Sequence, residues 1–154
     1  MSKVHSTDSI TIYCDGACSG NQSAKNVGGW GAILNYRGHV KELHGGERNT
    51  SNQRMELTAC IKALEAIKVK KPITIFSDSA YLVNCIHQRW YERWQRNGWK
   101  NAKKQPVENK DLWMRLLELL NDHEVTFHKV EGHAGVELNE RADALARRGA
   151  AEME

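Results

Sequence analysis

The chain has 154 residues, 40% hydrophobic and 27% charged, with four cysteines, two prolines and a net charge of +3. That is enough for a folded domain with its own core, and too apolar for a disordered chain. No apolar run is long enough to span a bilayer, the first nine residues lack the apolar stretch of a secretory signal, and Cys14, Cys18, Cys60 and Cys85 offer neither a disulfide framework nor a complete zinc spacing.

A single cytoplasmic domain over residues 1–154 is therefore expected, its cysteines serving as small buried apolar residues. Residues 9–16 predict the first strand: Ile10, Ile12 and Cys14 alternate with Thr11, Tyr13 and Asp15, and Gly16 marks its end. Apolar groups on both sides place this strand inside a sheet. Asp15 is then either a turn residue before glycine or a carboxylate at the rim of the core. Residues 28–36 and 39–46 predict two further strands joined by a tight Arg37–Gly38 turn, so the first three strands form an antiparallel meander.

Thr50, Ser51 and Asn52 are helix-capping residues, and a helix follows to about Lys68 with Cys60, Ala63, Leu64 and Ile67 on its apolar face. Glu56 lies four residues before Cys60 and shares that face. It either favours the positive end of the helix dipole or looks inward and needs a partner. Residues 73–78 form a short strand ending in Asp78, which is either the cap of the next helix (79–86) or a second aspartate at the same sheet edge.

Residues 88–96 predict a helix with Trp90 and Trp94 in one stripe and Arg89 and Arg93 in another; Trp99 follows Gly98. From Arg89 to Lys104 six bases, including Arg96 and Lys100, face the single acid Glu92. This segment carries +5, leaving −2 for the remainder. The tryptophans suit core anchors and the arginines a solvated face, but the charge asymmetry favours contact with phosphates. After Pro106, Asn109 caps a helix to about Asn121 with Leu112, Leu116, Leu119 and Leu120 inward. A fifth strand spans 124–130. A glycine-flanked loop at 131–136, expected to be mobile, holds His133, and a last helix covers 137–148. There Asn139 and Asp143 share a face, while Ala142, Leu145 and Ala146 pack. Asp143 is either a surface acid balanced by Arg147 or a fourth member of an acidic set.

The order of elements implies an α/β fold in which Asp15, Glu56, Asp78 and Asp143 fall at comparable places. Gathered together, four carboxylates repel one another and their pKa values rise. A divalent cation removes the conflict, and all-oxygen ligands suit Mg²⁺ or Mn²⁺. Two ions about 4 Å apart activate a water and stabilise the leaving oxygen of a phosphodiester.

At this point the chain closely resembles the type 1 ribonuclease H family, and within it the bacterial stand-alone enzymes. The resemblance rests on Tyr13-Cys14-Asp15-Gly16 with Gly20-Asn21; on the run from Thr50 to Leu57; on Phe76-Ser77-Asp78-Ser79 and Asp111-Leu112-Trp113; and on the run from Val130 to Gly135 with Asn139-Glu140-Arg141-Ala142-Asp143. The resemblance implies a ribonuclease H-like fold: a five-stranded mixed sheet, three antiparallel strands then two parallel, with helices on both faces. It implies a monomeric endonuclease that cuts the RNA strand of RNA/DNA hybrids and leaves 5′-phosphate and 3′-hydroxyl ends. Mg²⁺ or Mn²⁺, two ions with substrate bound, would be held by Asp15, Glu56, Asp78 and Asp143, with His133 aiding proton transfer or product release. Asn21, Asn52 and Gln53 would meet RNA in the minor groove, and Thr50 and Ser51 a DNA-strand phosphate. The stretch at 88–104, with Arg89, Trp90, Arg93, Trp94, Arg96, Trp99 and Lys100, matches a basic protrusion that grips the hybrid. Ala80 departs from the polar residue often found there. A binding module without catalysis would lack some of the acids and His133, all present here; a DNA-cutting or strand-transfer enzyme would not need readers of the 2′-hydroxyl.

Overall fold

The strand at the centre of the sheet is the one with apolar side chains on both faces. The computed structural model describes residues 8–19, 26–130 and 137–154. In it β1 (Ile10–Ser19) pairs antiparallel with β2 (Val27–Tyr36) and parallel with β4 (Ile73–Ser77). β3 (His39–Arg48) flanks β2 antiparallel, and β5 (Val125–Lys129) flanks β4 parallel, giving the order β3-β2-β1-β4-β5. The β2–β3 turn places Arg37 at φ 54° and Gly38 at φ 85°. Two successive left-handed residues match the twist of a two-residue hairpin.

β1 runs three residues past Gly16, where the local Asp-Gly signal had placed its end. Gly16 stays in register opposite Trp30. A Cβ there would sit 2.6 Å from the backbone nitrogen of Glu56. The glycine therefore admits a helix against the strand rather than turning the chain. Gly16→Ala is expected to destabilise the protein by about 3 kcal/mol, the range of an overpacked core. Urea denaturation checks this, and an unchanged midpoint would contradict it.

That helix is α1 (Asn52–Glu65), capped by Ser51, whose Oγ accepts from the Arg54 N–H at 3.1 Å. It stops a turn before Lys68, because the Ala66 N–H tightens onto the Lys62 and Ala63 carbonyls. Met55, Leu57, Ala59 and Ile61 are buried along with Cys60, Ala63 and Leu64, since α1 lies between the sheet and α4 (Lys110–Asp122). α5 (Glu137–Ala151) covers the opposite face of β1, β2 and β3. A methyl at Gly29 or Gly31 would run into the Ala146 or Ala142 carbonyl. Cys14 and Cys60 are fully buried between β1 and α1, and the Cys60 thiol and then burial push the Cys14 thiol well above its ordinary range. Such thiols pack and do not react.

α2 (Ala80–His87) and α3 (Trp90–Arg96) are separated by Arg89 at φ 58°. α4 turns its face one position from the leucine pattern, making Trp113 the largest fully buried side chain. Its Nε1–H donates to the Tyr81 hydroxyl at 2.8 Å, and its ring lies 5.7 Å from Trp94, itself 5.9 Å from Trp99. Asn109 precedes α4 as expected but caps nothing with its side chain. It adopts φ 63°, a left-handed conformation asparagine tolerates. Among the described residues no helix is long and apolar enough to cross a membrane.

Candidate active site

Parallel pairing of β1 with β4, Tyr13 opposite Phe76, sets Asp15 within β1 beside the end of β4, and α1 begins above it. Asp15 is buried at 5% exposure and Glu56 at 8%, while Asp78 follows β4 half-buried. One oxygen from each of these three carboxylates lies within 4.8 Å of the other two. The Gly16 N–H donates to Asp15 Oδ1 at 2.9 Å. Asp78 is spared from capping α2, because Ser79 Oγ accepts from the Leu82 N–H at 3.1 Å. Behind it, fully buried Ser77 accepts from the Ser79 N–H at 3.1 Å and fixes the turn.

Among the described residues no ion pair neutralises this negative charge. Burial first, and then the charge of Asp78, push the Asp15 carboxyl up to about 7. Burial and the charges of Asp15 and Asp78 hold Glu56 well above the carboxylate range. Glu56 Oε1 is buried with no hydrogen-bond partner. An orphaned buried acceptor amid hard oxygen donors is what a divalent cation would complete. Asp143 stands outside the trio. It is half-buried on α5, its Oδ2 accepts from Arg147 at 3.0 Å, and its charge still acts on Asp15. Both sequence readings of Asp143 thus have a basis. Asn21 and His133 lie outside the described residues.

Beside the acids, Asn26 clasps Thr50 from both sides: its Nδ2 donates to the Thr50 carbonyl at 2.8 Å, and its Oδ1 accepts from the Thr50 N–H at 2.9 Å. Asn26 was not among the sequence candidates, and no local pattern marks it. The Thr50 hydroxyl is buried without a partner, whereas that of Ser51 is engaged as the cap. Asn52 and Gln53 are exposed on the first turn of α1. The next residue, Arg54, reaches Glu47 at 3.0 Å and both oxygens of Asp111 at 3.2 and 3.1 Å. It ties the start of α1 to β3 and α4.

On the basic segment the tryptophans divide. Trp94 sits half-buried against Trp113, and Trp99 against Trp94, which anchors α3 to α4. Trp90 is 39% exposed and its Nε1–H donates to Gln88 at 2.9 Å. Arg93, Arg96 and Lys100 are exposed, and Arg89 reaches Glu92 at 3.5 Å. Gln88, Arg89, Trp90 and Arg93 are among the residues lining a recess of about 410 Å³. Ala80 opens α2 exposed.

The mixed sheet, with two aspartates and a helical glutamate at one edge, defines a candidate hydrolase site of the acidic, cation-dependent kind. The ribonuclease H family model matches residues 7–151. A ribonuclease H of Symbiobacterium thermophilum is 54% identical over 138 residues, 90% of this chain and 92% of that protein. One of Syntrophomonas wolfei is 55% identical over 139 residues, 90% and 93% of the two chains. Among solved structures, LC9-RNase H1, a type 1 enzyme with the type 2 active-site motif, superposes with a TM-score of 0.84 at 31% identity, over 99% of this chain and 76% of that one. The chain belongs to the ribonuclease H family. LC11-RNase H1, solved in complex with an RNA/DNA hybrid, shares the fold at a TM-score of 0.70 and 21% identity, over 94% and 98% of the two chains.

Proposed function

We propose that this protein hydrolyses the RNA strand of RNA/DNA hybrids, acting as a monomeric endonuclease that leaves 5′-phosphate and 3′-hydroxyl ends. The observation that carries this is the buried meeting of Asp15, Glu56 and Asp78 in a ribonuclease H chain. Related LC11-RNase H1 is known bound to such a hybrid. These three acids, with Asp143 at the margin, would hold Mg²⁺ or Mn²⁺, two ions once substrate is present. Bound there, the ions supply an activated water and charge stabilisation for the leaving oxygen.

The chain's own residues do the rest. Asp15 and Glu56, buried and reluctant to ionise, surrender their protons when a cation binds. Asn52 and Gln53, with Asn21, offer amides that meet a 2′-hydroxyl as donor or acceptor, which distinguishes RNA from DNA. Thr50, whose backbone Asn26 holds, and Ser51 would meet a DNA-strand phosphate. Arg89, Arg93, Arg96 and Lys100, beside Trp90, grip the duplex backbone, while Trp94 and Trp99 hold that segment in position.

His133 moves a proton at the reacting phosphate or helps product leave. His133→Ala is expected to slow turnover by about 100-fold without abolishing it. Single-turnover cleavage measures this, and a wild-type rate would remove the role.

Labelled RNA/DNA hybrid, double-stranded RNA, single-stranded RNA and duplex DNA, each incubated with the protein plus Mg²⁺ or EDTA, test the reading directly. Cleavage confined to the hybrid and stopped by EDTA supports it. Cleavage of duplex DNA, or cleavage indifferent to EDTA, overturns it.

A further inference from the structure

Among the buried polar atoms without a partner, two belong to helices that cover opposite faces of the central strand. One is Glu56 Oε1 on α1, which the acidic site explains. The other is Oδ1 of Asn139 on α5. Asn139 is 6% exposed, the most buried polar side chain of its helix. An unpaired carboxamide oxygen in such a place is a standing penalty to the fold, and apolar neighbours one and two turns on, Ala142 and Ala146, show what packing alone would select there.

Its position connects it to the acids. Ala142 lies over Gly31, and Gly31 is the register partner of Asp15. From there α5 crosses the sheet toward Gly45 and Gly46 on β3. Asn139, one turn upstream of Ala142, is therefore on the β1 side of this crossing. It shares a helix face with Asp143, four residues later, whose charge acts on Asp15.

We propose that Asn139 is a positioning residue of the cation site. Its carboxamide oxygen accepts a hydrogen bond from water held in the shell of a cation bound by Asp15, Glu56 and Asp78. That bond ties α5, and Asp143 with it, to the acids on β1, α1 and β4. The inference rests on the cation reading above, and it extends the set of residues assigned to the site.

The test compares wild type, Asn139→Leu, Asn139→Asp and Asp15→Asn by calorimetric titration with Mn²⁺ and by thermal unfolding in EDTA. In EDTA, Asn139→Leu is expected to melt at or above the wild-type temperature, since it removes an unpaired polar group. It is expected to bind Mn²⁺ about tenfold more weakly, as loss of an outer-shell partner does. Asn139→Asp restores the acceptor, so it is expected to recover Mn²⁺ affinity while melting lower in EDTA, because a further negative charge joins the cluster. Wild-type Mn²⁺ affinity in Asn139→Leu, or a lower melting temperature for it in EDTA, would reduce Asn139 to a packing residue and overturn the proposal. Asp15→Asn separates the two levels. If it loses Mn²⁺ binding while Asn139→Leu keeps it, only the role of Asn139 fails. If it binds as wild type does, the cation site fails and the role of Asn139 with it.

Discussion

Asp15→Asn is expected to abolish cleavage, by about 1,000-fold or more, while making the metal-free protein more stable at pH 8. The first effect follows from removing one of three converging oxygens: the site then loses several kcal/mol of transition-state stabilisation, at about 1.4 kcal/mol per tenfold in rate. The second follows from the sign of the linkage. Folding raises the Asp15 pKa from 3.8 to about 7, chiefly through burial and then through Asp78. The folded state therefore resists ionisation that the unfolded chain accepts freely. This penalty is absent below pH 3.8 and complete above pH 7, so the stability of the metal-free protein rises as pH falls across that window. Its full size is up to about 4 kcal/mol, shared with Glu56 because the two groups act on each other. Asparagine cannot ionise, so the variant should exceed wild type in urea midpoint at pH 8 and match it near pH 4. Saturating Mg²⁺ should stabilise wild type and leave the variant nearly unmoved. Equal midpoints at pH 8 in EDTA would show that the carboxylates are not in conflict. Hybrid binding by the variant should persist, because the groups assigned to RNA and DNA contact lie elsewhere.

That one substitution should weaken chemistry and strengthen the fold also explains how much of the site could be seen in the sequence. Asp15 and Asp78 were legible because each closes a run of alternating β-branched and aromatic residues, and parallel pairing of the two runs sets those acids side by side. Glu56 was legible from its four-residue spacing to Cys60, which turns an acid toward the core. Asp143 had only helical spacing, and the structure gives it both an Arg147 partner and an influence on Asp15. Asn26 and the orphaned oxygen of Asn139 were invisible, because their meaning depends on what another element places beside them. Gly16 misled for the same reason: Asp-Gly is a turn signal locally, and only the approach of α1 makes it an interior strand residue. Trp113 was hidden among leucines, since the face of α4 is set by Tyr81 and Trp94 on neighbouring helices.

Replacing Arg89, Arg93 and Arg96 together with alanine is expected to weaken hybrid binding by about 10- to 100-fold near 100 mM salt. The logarithmic salt slope should become shallower as well. Each phosphate contact on a duplex contributes roughly 0.9 to that slope, so three full contacts would remove about 2.7. Arg89 is already 3.5 Å from Glu92, which partly neutralises it, so a loss near 2 is the better expectation. The fold should tolerate the change. Arg93 and Arg96 are exposed, and α3 is fastened by Trp94 against Trp113, a contact between rings that the arginines do not share. A wild-type melting temperature with a flattened salt slope would therefore place the arginines on phosphate. An unchanged slope would make them a solvated face, and hybrid affinity would then have to come from the other groups assigned to it, Asn21, Thr50, Asn52, Gln53, Trp90 and Lys100. Trp94→Ala distinguishes anchoring from contact. If Trp94 serves to hold the helix, its loss should lower the melting temperature by several degrees and weaken binding without altering the slope, because no charge has been removed.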